Sequence, residues 1–223
     1  MNTPKNDSTG RSAPSWTTYR SSIGDRSGLF GAVSSAWHPT RALYPGSYLD
    51  LSPSTAIPSV TYVDTDRRAA RYFADQALVT AELQGRTRPG IDTDLAFLHA
   101  DYTKPLPIPA ASFDLLISLY AGPVWDHCRQ YLSPRGLLLA NASHGDASLA
   151  ALDPALRLVA AVHQRADKYR LDTANLDSYL IPKKPSAADP DTIRRQGRGI
   201  AYTKPAFAYV FETVGKPSLI HRS

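Results

Sequence analysis

The residues of this 223-residue chain that could do chemistry stand where its apolar runs stop. Gly46 follows Ala42-Leu43-Tyr44, and the acids Asp64 and Asp66 close the run that starts at Val60. Asp101 comes just after Leu95–Leu98, Tyr120 ends the run from Phe113, and Asn141 and His144 follow Gly136–Ala140. In an open parallel sheet, ligands sit outside the carboxyl ends of the strands, so these are the positions that face one. An acid at the end of the second strand can accept both hydroxyls of a ribose. His144, just past the fifth strand, is the best-placed general base, with Tyr120 next. Each residue also has a plainer reading: Asp64 and Asp66 as helix caps, Gly46 as a turn residue after Pro45, His144 as a solvated loop histidine.

The loop after the first strand discriminates between cofactors. A dinucleotide needs several glycines for the tight turn and for close approach to the pyrophosphate. The segment PGSYLDLSPS has one glycine, and its Asp50 would set a negative charge beside a pyrophosphate. A Gly-rich loop ending in Lys-Ser/Thr, needed for ATP, is absent. S-adenosylmethionine has no phosphate, and its sulfonium and ammonium charges favour nearby acids, so a single glycine can serve it.

The elements that must position these groups alternate. Gly28–Trp37 has helical spacing, Arg41–Tyr44 and Val60–Asp64 read as strands, and Asp64-Thr65-Asp66 offers N-caps to one long helix that stops at Gly85. Leu95–Leu98 is a short strand. The near-continuous run FDLLISLY, Phe113–Tyr120, suits a central strand covered on both faces. A helix over Pro123–Leu132, a fifth strand over Gly136–Ala140, a helix from Asp153-Pro154 to about Arg165 and a last strand over Phe207–Thr213 complete the series. This order predicts an α/β, Rossmann-like, doubly wound and mostly parallel sheet with helices on both faces, a three-layer α/β/α sandwich. Residues 1–14 read as a disordered tail and 15–223 as a single domain, with 166–205 a candidate substrate cap. In that segment Tyr169, Tyr179 and Tyr202 are interleaved with Lys183, Lys184, Arg194, Arg195 and Arg198, a composition suited to stacking on an anionic planar ligand, or to a solvated surface loop.

With these segments in place, the chain resembles class I S-adenosylmethionine-dependent methyltransferases, closely over residues 28–145 and loosely beyond. LYPGS stands where that family has its glycine loop, TYVDTD matches its second strand with the ribose acid, LHADYTKPLPIPAASFDLLIS its third and fourth segments, and YLSPRGLLLAN its turn and fifth strand. The resemblance implies that Gly46 lies under the methionine part of the cofactor, with Tyr44 and Ser47 beside it. It implies that Asp64, next to Thr65, binds the ribose, that Asp101 and the Tyr102 backbone hold the adenine amine, and that Ser118 to Tyr120 line the site. The family usually carries Gly-x-Gly-x-Gly, and this chain departs from it with Tyr-Pro-Gly-Ser-Tyr.

Composition narrows the class. Cys128 is the single cysteine, which excludes an internal disulfide and a paired-cysteine mechanism. Asn141, His144 and Asp146 lack a defined metal-ligand spacing, and no metal is expected. Hydrophobic content of 43 % suits a soluble globular chain, the first 27 residues hold no apolar leader, and no run is long enough to span a bilayer, so a cytoplasmic location is expected. The net charge of +5 is spread along the chain, so a small-molecule partner is favoured over nucleic acid. The Asp/Asn-Pro-Pro-aromatic motif of amino-methylating DNA enzymes is replaced by Leu119-Tyr120-Ala121-Gly122-Pro123. The expected function is S-adenosylmethionine-dependent methyl transfer to a small acceptor. The alternative is a methyltransferase-like fold that has lost or changed cofactor use and serves as a binding or assembly protein.

Overall fold

The computed structural model describes residues 14–214; the tail expected at the N-terminus lies almost entirely outside them. Eight strands form one sheet: β1 Arg41–Pro45, β2 Ser59–Asp64, β3 Asp94–His99, β4 Phe113–Ser118, β5 Leu132–Ala140, β6 Leu156–Arg165, β7 Lys168–Asp172 and β8 Ala208–Thr213. Their order is β3-β2-β1-β4-β5-β8-β6-β7. The first five run parallel to one another, and β8, β6 and β7 add antiparallel pairs at one edge. The chain winds outward from β1 to β3, then returns to β4 on the other side of β1. That reversal places a crevice at the carboxyl ends of β1 and β4.

Strand periodicity builds the two cores. Tyr44, Tyr62, Leu115, Ile117, Leu137 and Leu139 enter one apolar cluster. Their neighbours Leu43, Val63, Leu116, Leu138 and Ala140 enter the other, because successive side chains of a strand point to opposite faces. Helices α1 Trp16–Ile23, α2 Ser27–Trp37, α3 Arg67–Ala74 and α4 Gln76–Leu83 contribute to the first cluster; α5 Val124–Cys128 and α6 Asp146–Leu152 contribute to the second. Cys128 is fully buried there, and burial pushes its thiol up to about 12, so it packs as an inert apolar group. Asp114 is structural: its carboxylate accepts the Thr40 and Arg41 amides, each at 2.9 Å, and so ties β4 to the start of β1.

Four local expectations are corrected. The helix expected from Asp153-Pro154 is strand β6, drawn into the sheet by its register with β8. The long helix after β2 breaks into α3 and α4 at Asp75, whose side chain accepts the Leu78 amide and restarts the chain as an N-cap. The helix expected over Pro123–Leu132 is only five residues long and tightens into a 3-10 turn at Arg129–Tyr131. Residues 166–205 are more regular than expected, holding β7 and helix α7 Pro190–Gln196. Between β1 and β2 there is a single 3-10 turn, Ser52–Thr55. Among the described residues, no helix is long and apolar enough to cross a membrane.

Candidate functional site

Gly46 opens the turn at the end of β1 with φ +67°, a left-handed conformation that suits glycine, and its amide donates to the Val63 carbonyl at 2.8 Å. Two residues on, Tyr48 also has positive φ, which brings its amide to Asp64 Oδ2 at 2.7 Å. The Asp66 amide takes Asp64 Oδ1 at 2.8 Å. Each oxygen of the acid at the end of β2 therefore already accepts one backbone donor. The Thr65 carbonyl accepts from His99 Nε2 at 2.9 Å, which joins the ends of β2 and β3. Asp66 caps α3 and pairs with Arg68 at 2.7 Å; those Arg68 hydrogen bonds hold its carboxyl down at about 2.

Past β3, Asp101 is exposed and turns back on its own loop, accepting the Thr103 amide at 2.9 Å and the Thr103 hydroxyl at 2.7 Å, which lowers its pKa. Tyr102 does the opposite. Its half-buried ring reaches across the end of β1, where it would stand 3.7 Å from a Cβ on Gly46, and its hydroxyl donates to the Gly122 carbonyl at 3.1 Å. The same imaginary Cβ would meet Ala121 Cβ at 2.5 Å. The loops after β3 and β4 thus close directly over Gly46.

At the end of β4, buried Ser118 donates to the Ala121 carbonyl at 3.2 Å and pairs with Asp146. Asp146 also accepts the Val124 and Trp125 amides at 2.8 and 3.4 Å, capping α5 from inside the fold. Burial raises its pKa against the pull of those donors.

Tyr120 and His144 stand on one rim. Tyr120 is 48 % exposed at φ +59°, and its amide faces Asn141 Oδ1 at 3.4 Å. Ser143 Oγ donates to the same Asn141 oxygen at 2.7 Å and lies 3.0 Å from His144 Nδ1. A hydroxyl has one proton, so with that proton on Asn141 the Ser143 oxygen must accept from Nδ1–H. The His144 ring is exposed at this rim. A Cβ on Gly122 would approach His144 Cβ to 2.8 Å, so the two loops pack without space between them.

Sequence reasoning missed the ion pair beneath this rim. Arg26 Nη1 meets Asp50 Oδ2 at 3.0 Å, with both side chains almost fully buried. Tyr44, expected beside a cofactor, instead donates its hydroxyl to Asp50 at 3.2 Å, and its pKa lies well above the usual value because it is buried next to that carboxylate. The Arg26 guanidinium also lies 4.7 Å from the Tyr120 ring centroid. Arg26 and Asp50 are 24 residues apart with no local periodicity between them, so only folding pairs them. Ser47 is buried and its hydroxyl has no partner among the described residues.

The stretch expected as a substrate cap does lie against the loop after β5: the Gly199 amide donates to the Ala142 carbonyl at 2.9 Å. Its aromatic rings, however, face inward. Tyr169 packs edge-on to Phe207, Tyr179 bonds Asp172 and His163 at 2.6 and 2.7 Å, and Tyr202 is buried. The Tyr179 ring also carries the Lys204 ammonium, 3.7 Å from its centroid. Arg194 is committed to Asp126 at 2.7 Å.

No protein-family model and no curated protein matches the chain. Solved methyltransferase structures do align with it at low identity. N-methyltransferase NodS from Bradyrhizobium japonicum WM9, in complex with S-adenosyl-L-homocysteine, is 14 % identical over 83 % of each chain, with a TM-score of 0.43. The 1,6-didemethyltoxoflavin-N1-methyltransferase of Burkholderia thailandensis, with 1,6-didemethyltoxoflavin and S-adenosylhomocysteine bound, is 12 % identical over 90 % of this chain and 84 % of that one, at a TM-score of 0.41. An S-adenosylmethionine-dependent methyltransferase from Mesorhizobium loti is 16 % identical over 77 % and 90 %, at a TM-score of 0.35. The fold class itself rests on the strand order and directions described above.

The side of Gly46 on which a Cβ would stand is covered by Ala121 and the Tyr102 ring. Each Asp64 oxygen accepts one backbone amide and keeps a second lone pair.

Proposed function

We propose that this chain is a binding or assembly protein on a methyltransferase-like fold, with changed cofactor use. In this reading the crevice between β1 and β4 is filled by protein, and the exposed rim of Tyr120, Ser143 and His144 is the face left for a partner or ligand. One observation carries it: Tyr102 and Ala121 pack on Gly46, the only glycine of the loop.

Calorimetry with S-adenosylmethionine and S-adenosylhomocysteine tests the reading on the wild type and on Asp64→Ala. The expected result is no binding by folded wild-type protein at millimolar ligand, where a Kd of 1 mM corresponds to only about 4 kcal/mol. Micromolar binding that Asp64→Ala weakens roughly ten- to several-hundred-fold would overturn it, since a hydrogen bond to a charged group is worth about 1.5–3 kcal/mol.

That outcome would favour the second reading, S-adenosylmethionine-dependent methyl transfer to a small acceptor. It is supported by His144, an exposed histidine just past β5 that Ser143 links to Asn141, the residue facing the Tyr120 amide.

A further inference from the structure

In the stretch from Ile181 to Lys204, Arg194 and Lys204 face the carboxylates of Asp126 and Asp172, at 2.7 and 3.9 Å. Lys183, Lys184 and Arg198 are exposed and pair with no acid among the described residues. A ribbon holds the first of them in place, with the Lys183 amide on the Ala201 carbonyl and the Thr203 amide on the Ile181 carbonyl, each at 2.9 Å. Between this ribbon and the end of α7 lies a cavity of about 430 Å³, within the range of small-molecule sites. Lys183, Lys184, Gln196 and Arg198 supply its polar side chains, and among the described residues no carboxylate and no aromatic ring lines it. The acids nearby in sequence are engaged: Asp189 caps α7 through the Thr192 amide at 2.7 Å, and Asp191 faces Arg194 at 3.6 Å. Gln196 Oε1 accepts Arg198 Nε at 3.3 Å, which orients the guanidinium and leaves its Nη groups to donate elsewhere. Three like charges around one cavity repel one another, a cost that a bound anion removes.

We propose that this cavity binds the phosphate groups of a small, multiply charged anion. A guanidinium fork beside two ammonium groups suits compact phosphate oxygens. The lack of a lining aromatic ring sets the cavity apart from a groove that stacks the bases of a nucleic-acid strand. The cavity adjoins the rim of His144, since the Gly199 amide donates to the Ala142 carbonyl at 2.9 Å and a Cβ on Gly145 would stand 3.5 Å from the Arg198 carbonyl oxygen. It is separate from the crevice at β1 and β4, and it stands whichever reading of that crevice holds.

Inorganic pyrophosphate, citrate and chloride are the probes, titrated into the whole chain at equal ionic strength and followed by NMR. Pyrophosphate is expected to shift amides within 183–201 with a Kd below about 1 mM, roughly tenfold tighter than citrate, and chloride to give no saturable shift. Lys183→Gln with Lys184→Gln, and separately Arg198→Gln, should each weaken pyrophosphate roughly tenfold, as loss of charge-assisted hydrogen bonds requires. Arg67→Gln with Arg71→Gln removes two exposed charges from α3, on the β3 side of the sheet, and should change the affinity by less than about twofold. Circular dichroism checks that each variant is folded, and Arg198→Gln keeps the test decisive if the double lysine variant is not. No saturable binding of pyrophosphate, citrate binding as tightly, or an equal loss in the α3 variant overturns the proposal.

Discussion

The Tyr102 hydroxyl donates to the Gly122 carbonyl at 3.1 Å, so one side chain from the loop after β3 crosses the end of β1 and reaches the loop after β4. Beneath it, Gly46 and Ala121 are in direct contact. These contacts pack the loops after β3 and β4 against the end of β1.

Gly46 should tolerate no side chain. Gly46→Ala forces a Cβ against Ala121 and keeps a left-handed φ, costs of about 1–3 and 1–2 kcal/mol respectively. The expected fall in Tm is on the order of 10 °C. Adding Ala121→Gly should recover the contact part and leave the backbone part. Equal melting temperatures for the single and double variants would show that the two residues do not touch.

The Arg26–Asp50 pair should behave as a buried ion pair. Asp50→Ala leaves a guanidinium with 6 % of its side chain exposed and no counter-charge, and is expected to cost about 3–5 kcal/mol in urea unfolding. Arg26→Met with Asp50→Ala should cost less than Asp50→Ala alone. A double variant less stable than the single one would contradict this account.

Asp66 should contribute to acid sensitivity. Its carboxyl titrates at about 2 in the fold against 3.8 ordinarily, chiefly through the Arg68 hydrogen bonds. As pH falls, the unfolded chain takes up this proton first. The contribution of Asp66 is therefore complete above about pH 4 and is lost as pH drops toward about 2. Asp66→Asn retains a good N-cap but cannot titrate. Its stability profile should be flatter than that of the wild type between those two pH values, and an unchanged slope would reject the assignment.

Glu82 should hold α1 in place. Its carboxylate accepts the Trp16 and Thr17 amides at 2.9 and 2.8 Å and pairs with the Tyr72 hydroxyl. Glu82→Ala is expected to speed amide exchange across α1 by roughly tenfold or more while leaving the amides of β4 unchanged, because hydrogen bonds to a charge are worth about 1.5–3 kcal/mol. Uniform loss of protection would mean that α1 is not a separate unit.

Much of this architecture was legible because its cause is local. The apolar run at Phe113 declared a strand covered on both faces, and Asp66 before Arg67 declared a helix start. Where local and distant preferences conflict, the reading failed. LRLVAAVHQR contains helix-favouring residues after an Asp-Pro start, yet it forms β6, because pairing with β8 and β7 satisfies its backbone within the sheet. Asp153 instead holds a turn and the Trp125 indole, at 2.9 and 2.8 Å. The tyrosines of the 167–204 stretch looked like surface aromatics because their neighbours are charged, but in the fold they turn toward the sheet and α2.

By itself, then, the amino-acid order determined the alternation of elements, the strands of the parallel half and the acids at their ends, since these follow from periodicity and from backbone rules acting over a few residues. The tertiary structure alone decided what those ends can do. That Tyr102 lies on Gly46, that Arg26 finds Asp50, and that Asn141 meets the Tyr120 amide are contacts set by chain segments brought together from different strands and loops, where hydrogen bonds and close packing select one partner among many.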